Sequence, residues 1–140
     1  NCGTPVQISK DILDATDYGV LNVHPGLLPK YRGSSAVEWS LWNSDPVGVT
    51  AHLMAEAYDN GPIIKSKKLN IRSNLTYQQI RISIYKLSAE VMCEVITDWH
   101  SAGRNNFNTH VQNEKEAKTW PPIPQEIFNN LLEKFKVEIK

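Results

Sequence analysis

Apolar residues along this 140-residue chain follow two rhythms. Across residues 19–24 the rhythm is two. It places Val20, Asn22 and His24 on one face of a strand and Leu21 and Val23 on the other. Pro25 ends that strand, because it has no N–H to give a ladder. Residues 47–54 and 62–71 read as two further strands, and the loop between them is short enough to predict an antiparallel pair. The second rhythm is helical. Ile80, Ile84, Leu87, Val91 and Val95 recur every three or four residues and predict a helix from Thr76 to about Ala102. Thr76 and Gln79 are spaced as a capping box, and Gly103 is placed to stop the helix. Three shorter helices complete the pattern. Ser9 opens the first, with Ile12 and Leu13 turned inward. Ser34 or Ser35 caps the second, which runs through Ala36, Val37, Trp39 and Leu41 until Asn43, Asp45 and Pro46 stop it. The third spans residues 125–136, with Ile127, Leu131 and Phe135 on one face. Residues 104–124 are polar and then proline-rich, and read as a linker or surface loop.

This is α/β sequence with few strands. Three strands make a thin sheet for a parallel α/β fold, which points to strands upstream of Asn1. The chain opens on Asn1 and not on Met, and reads as processed, truncated or cut from a longer protein.

Charge narrows the partners. Fifteen Lys and Arg balance fifteen Asp and Glu, so bulk charge does not draw the chain to phosphate backbones or anionic membranes. No stretch of about 18 apolar residues exists, so no membrane span is expected. Cys2 and Cys93 make neither a disulfide framework nor a Cys-x-x-Cys zinc pair, which suits a reducing, cytoplasmic setting. Cys93 is expected to pack within its helix, and Cys2 has no neighbouring base. Asn74-Leu75-Thr76 has the form of a glycosylation triplet but reads equally as a helix entrance.

Few residues offer chemistry. Asn22 and His24 share one face at the carboxyl end of a strand, where open α/β sheets bind ligands. Taken alone, the pair reads first as structural caps of the following loop. Asp59 sits in Tyr58-Asp59-Asn60-Gly61, an ordinary turn composition. His52 reads as a satisfied strand histidine, and His100 and His110 as helix-end and linker residues. No two histidines stand at metal-ligand spacing, so no metal is expected. Periodicity yields an Asn, a His and an Asp, and does not bring them together.

Residues 21–33, Leu-Asn-Val-His-Pro-Gly-Leu-Leu-Pro-Lys-Tyr-Arg-Gly, resemble the signature of the 10-formyltetrahydrofolate-dependent formyltransferases. These act on glycinamide ribonucleotide, methionyl-tRNA or amino sugars, and formyltetrahydrofolate deformylase shares their fold. Residues 48–64 resemble the strand, folate loop and aspartate turn of the same family. The resemblance implies a Rossmann-like, three-layer αβα fold that lacks its N-terminal βαβ half. It makes residues 1–103 the C-terminal part of the catalytic domain, 104–124 a linker or surface loop, and 125–140 a helical tail. Residues 112–123 are similar, more loosely, to a tail found after that domain in several members.

Carried over by position, Asn22, His24 and Asp59 fall on the catalytic trio. The resemblance implies a tetrahedral intermediate, with an Asn22 amide and a His24 imidazolium near its oxyanion and Asp59 orienting His24. Val6, Gln7 and Ile8 would line the folate on one side, and Ala55, Glu56, Ala57 and Tyr58 on the other. Arg32 and Ser35 lie where some members meet the acceptor, and Gly26 stands where many carry serine, a mild change. The expected function is formyl transfer from 10-formyltetrahydrofolate, as co-substrate, to the amine of a small acceptor such as an amino sugar or glycinamide ribonucleotide. The alternatives are deformylase, methionyl-tRNA formyltransferase or a folate-binding fragment without turnover. Uncovered sheet edges would call for the missing half or a second copy. Neutral charge weighs against nucleic acid as the main partner, with tRNA left open.

Overall fold

A computed structural model describes residues 8–71, 75–105 and 107–136. The elements in chain order are α1 (Lys10–Asp14), β1 (Leu21–His24), α2 (Ala36–Trp42), β2 (Gly48–Leu53), β3 (Ile63–Lys68), α3 (Tyr77–Ser101) and α4 (Gln125–Lys134). Each expected element is present, with ends moved by at most three residues. The strands form one sheet in the order β1-β2-β3, and both pairings are antiparallel.

Register decides which side chains share a face. Leu21 lies opposite Leu53, Asn22 opposite His52, Val23 opposite Ala51 and His24 opposite Thr50. Directly opposed residues point to the same side of an antiparallel pair. One face therefore carries Leu21, Val23, Val49 and Ala51, and the other carries Asn22, His24, Thr50 and His52. The apolar face takes α3, whose stripe Ile80, Ile84, Leu87, Val91 and Val95 is fully or almost fully buried. Val37 and Leu41 of α2 and Leu131 of α4 close the same core. Each such side chain taken from water contributes roughly 1.5–3 kcal/mol before conformational entropy is charged against it.

The capping box at Thr76 is formed in both directions. Gln79 N–H donates to Thr76 Oγ1 at 3.2 Å and Thr76 N–H donates to Gln79 Oε1 at 2.9 Å. Gly103 follows α3 at φ +80°, the left-handed stop expected of it.

Three local expectations are corrected. Ile12 is exposed and only Leu13 is half-buried, because neighbours on a helix point about 100° apart and one turn cannot bury both. Cys93 is exposed, since it sits between Val91 and Val95 on the far side of the stripe. Ser35 precedes α2, but its hydroxyl does not cap that helix; it accepts from Ile123 N–H at 3.0 Å.

Residues 107–120 form a strap laid across the sheet end. His110 exchanges both backbone hydrogen bonds with Ile63, at 2.8 and 2.9 Å. Arg32 and the strap do the same further on, through Lys118 O at 3.0 Å and Trp120 N at 2.9 Å. Trp120 stacks on Trp39 and Tyr31, with ring centroids 4.8 and 5.7 Å apart. Among the described residues no helix is long and apolar enough to cross a membrane.

Candidate active site

The polar face of β1 and β2 is buried, which is costly unless every group finds a partner. Asn22 is 9%, His24 5%, His52 1% and Thr50 0% exposed. The partners are built from the loop that follows each strand. Thr50 Oγ1 donates to Gly26 O at 2.8 Å and accepts from Leu28 N–H at 3.1 Å, which pins the loop after β1. That loop folds back so that His24 Nε2–H donates to Tyr31 O at 2.7 Å.

The two histidines take opposite tautomers. A carbonyl only accepts, so His24 carries its proton on Nε2 and His52 carries its own on Nδ1, where it donates to Leu53 O at 2.9 Å. His52 Nε2 is then an acceptor, and it takes a hydrogen bond from Asn22 Nδ2 at 3.1 Å. His52 thereby fixes which way the Asn22 amide faces.

Asp59 comes over this face from the β2–β3 loop, at φ +52°. Its Oδ1 lies 3.4 Å from His24 Nδ1 and 3.9 Å from His52 Nε2. Its Oδ2 accepts from Gly33 N–H at 2.8 Å. Gly61 makes the turn tight: a Cβ there would stand 1.7 Å from Leu53 O, so no other residue fits. Asp59, far along the chain from Asn22 and His24, thus converges with them, and His52 joins them.

Burial lowers the His24 pKa below the ordinary imidazole value, against the opposing pull of Asp59 and the Tyr31 carbonyl. His52 is lowered for the same first reason, with His24 adding to the effect. The resting His24 imidazole therefore favours the neutral form near pH 7, and the imidazolium expected of it belongs to the reacting site. A proton arriving at Nδ1 would meet Asp59, and both ring N–H groups would then have acceptors.

Val6 and Gln7 lie outside the described residues, and Ile8 is half-buried just ahead of α1. Ala55 is half-buried, while Glu56, Ala57 and Tyr58 lie exposed on the loop leading to Asp59. Arg32 is turned inward and its guanidinium is engaged by the strap. Nε and Nη2 donate to Gln112 Oε1 at 3.1 and 2.8 Å, and Nη1 and Nη2 to the Glu114 carboxylate at 3.2 and 2.8 Å. Gly26 has no room for a side chain, since a Cβ would fall 2.7 Å from His24 Nε2 and 2.5 Å from Tyr31 O. A serine there is not the mild change expected. Thr50 and Gln112 are not offered by the sequence as site residues, and His52, a satisfied strand histidine as expected, also borders the site. Thr50 and His52 could have been found by pairing β1 with β2 in register; nothing local marks Gln112. Among the described residues no group of three acidic, histidine or cysteine side chains is placed to hold a metal.

Comparison with known proteins bears on the fold and the family. The family described as formyl transferase matches residues 7–96. A methionyl-tRNA formyltransferase of Clostridioides difficile is 30% identical over 125 residues, covering 89% of this chain and 39% of the relative. One from Thermodesulfovibrio yellowstonii is 28% identical over 131 residues, covering 87% and 42%. The chain therefore spans less than half the length of these curated relatives. Among solved structures, a 4-N formyltransferase from Francisella tularensis aligns with a TM-score of 0.70 at 26% identity, over 84% of this chain and 46% of that one. The formyltransferase PseJ from Anoxybacillus kamchatkensis, solved with UDP-4,6-dideoxy-4-formamido-L-AltNAc and tetrahydrofolate, gives 0.70 at 21% identity over 81% and 58%. With its α/β architecture shared by solved formyltransferases and β1, β2 and β3 inside the matched region, the chain belongs to the formyl transferase family.

Proposed function

We propose that Asn22, His24 and Asp59 are the catalytic centre for transfer of a formyl group from 10-formyltetrahydrofolate to the amine of a small acceptor. One observation carries this reading: a neutral imidazole with a carboxylate 3.4 Å from Nδ1, beside an asparagine amide oriented by His52, on one buried polar face. That set fits a formyl group, which needs a donor for its oxygen and a base for the attacking nitrogen. The folate supplies an activated formyl carbon.

The chain's residues do the rest. The Asn22 amide donates to the formyl oxygen as negative charge grows there. As the amine adds, its proton passes to His24 Nδ1, and Asp59 stabilises the resulting imidazolium. The same proton is returned to the departing folate nitrogen, so the formyl group ends as a formamide and His24 ends neutral. Ala55–Tyr58, with Val6, Gln7 and Ile8, form the proposed folate side, and Ser35 marks the proposed acceptor side. Arg32 serves the acceptor side through its loop, since its guanidinium is held by the strap. The proposed setting is the cytoplasm.

The test supplies 10-formyltetrahydrofolate with a nucleotide-linked amino sugar, with glycinamide ribonucleotide and with methionyl-tRNA. Formylated small amine is the expected product. The curated relatives favour methionyl-tRNA as the second reading, and formylation of it alone would replace the first. Asn22→Ala should cost on the order of 100- to 1000-fold in turnover. Formate release that no amine diverts would mean hydrolysis.

A further inference from the structure

Gln112 lies beyond the family-matched residues 7–96, in a strap that the sequence presents as a loop. It is nonetheless 5% exposed, and all of its side-chain amide is engaged. Nε2–H donates to Asp59 O and to Gly61 O, both at 2.7 Å. Those carbonyls flank the turn that carries Asp59 in the left-handed region, a conformation that aspartate adopts readily in turns and that the two hydrogen bonds pin in place. Oε1 accepts twice from Arg32, which prevents the amide from turning over. Arg32 adjoins Gly33, whose N–H holds Asp59 Oδ2. The aspartate is thus gripped from both ends, by its main chain through Gln112 and by its carboxylate through Gly33. Arg32 joins the two grips.

We propose that Gln112 is a positioning residue that sets the placement of the Asp59 carboxylate over His24, with Arg32 fixing the orientation of its amide. This rests on the reading that the His24–Asp59 pair is the catalytic centre. An exposed loop glutamine would have no such reach. A purely packing role would be served as well by leucine, which fills similar space, and the two roles therefore separate experimentally.

Two variants of the whole chain make the test. Gln112→Leu keeps the volume and removes every polar contact. Gln112→Glu keeps the acceptor for Arg32 but removes the donors and sets a carboxylate against two carbonyls. The first readout needs no turnover: the His24 titration midpoint and the Gly33 amide resonance, by NMR. Asp59 is the acid facing His24 from the β2–β3 loop, with His52 beside it on β2 and the Tyr31 carbonyl behind. Asp59 raises the His24 value, so displacing it moves the midpoint down in both variants and shifts the Gly33 amide. In the active enzyme kcat falls by about 10- to 100-fold, with KM for both substrates within about threefold, as misplacement of a reacting group predicts. Folded variants with an unmoved midpoint and an unmoved Gly33 amide overturn the proposal. So does a Gln112→Glu that behaves as wild type, since that leaves only the Arg32 contact. If neither variant folds, the unaltered chain decides: its Gln112 side-chain amide protons exchange slowly with solvent, and exchange at the rate of a free amide overturns the assignment. Moved resonances in a chain that forms no formamide would retain the positioning role and reject the formyl-transfer reading.

Discussion

His24 owes its character to the atoms packed around it. Nε2 is committed to the Tyr31 carbonyl, which leaves Nδ1 to face Asp59. Gly26 makes this possible by presenting no side chain to either partner. Gly26→Ser should therefore displace the loop, at a cost of about 1–3 kcal/mol for overpacking. It should also weaken turnover, because the ring loses the carbonyl that fixes its tautomer. Urea unfolding and single-turnover formylation would check both effects, and unchanged stability would mean the loop yields more readily than its contacts imply. His52 shows the same dependence on surroundings. As a residue it is a strand histidine; opposite Asn22 it becomes the acceptor that aims an amide.

At the scale of elements, β1 and β2 divide the labour by face. Their apolar side holds α3 and their polar side holds the candidate site, so the helix is the platform beneath that site. Stabilising the first turn of α3 stabilises that platform. Thr76→Ala removes the cap from Gln79 N–H and should cost about 1 kcal/mol, seen as a lower denaturation midpoint with the transition slope kept. Turnover per folded molecule should hold, since no contact from Thr76 reaches the polar face in the described structure. A selective loss of activity at full stability would show that the helix entrance serves the site directly.

For the molecule as a whole, two buried neutral imidazoles make stability depend on acid. Both folded-state values lie below the unfolded value of about 6.5, so between them the unfolded chain binds more protons. Stability is then full above about pH 6.5 and falls as the pH drops through the folded values. The carboxyls of Asp45, Glu94 and Glu114, held low by hydrogen bonds from Lys30, Lys67 and Arg32, add their own loss only below about pH 4. Thermal midpoints measured from pH 8 to 5 should show the first decline, and His52→Gln should make it shallower. A slope unchanged in that variant would move the acid sensitivity away from His52.

Local residue pattern specifies the elements and the two faces of β1. Hydrophobic period, a capping box and a proline stop act over a few residues, and so they survive without tertiary context. Family resemblance supplied the trio but not its state. Whether the resting His24 is charged depends on desolvation, which only the packed loop creates. The inward turn of Arg32, the part played by His52 and the reach of Gln112 to Asp59 were decided by contacts between residues 30 or more apart. Such contacts follow from strand register and from the path of the strap, and no local pattern of residues encodes them.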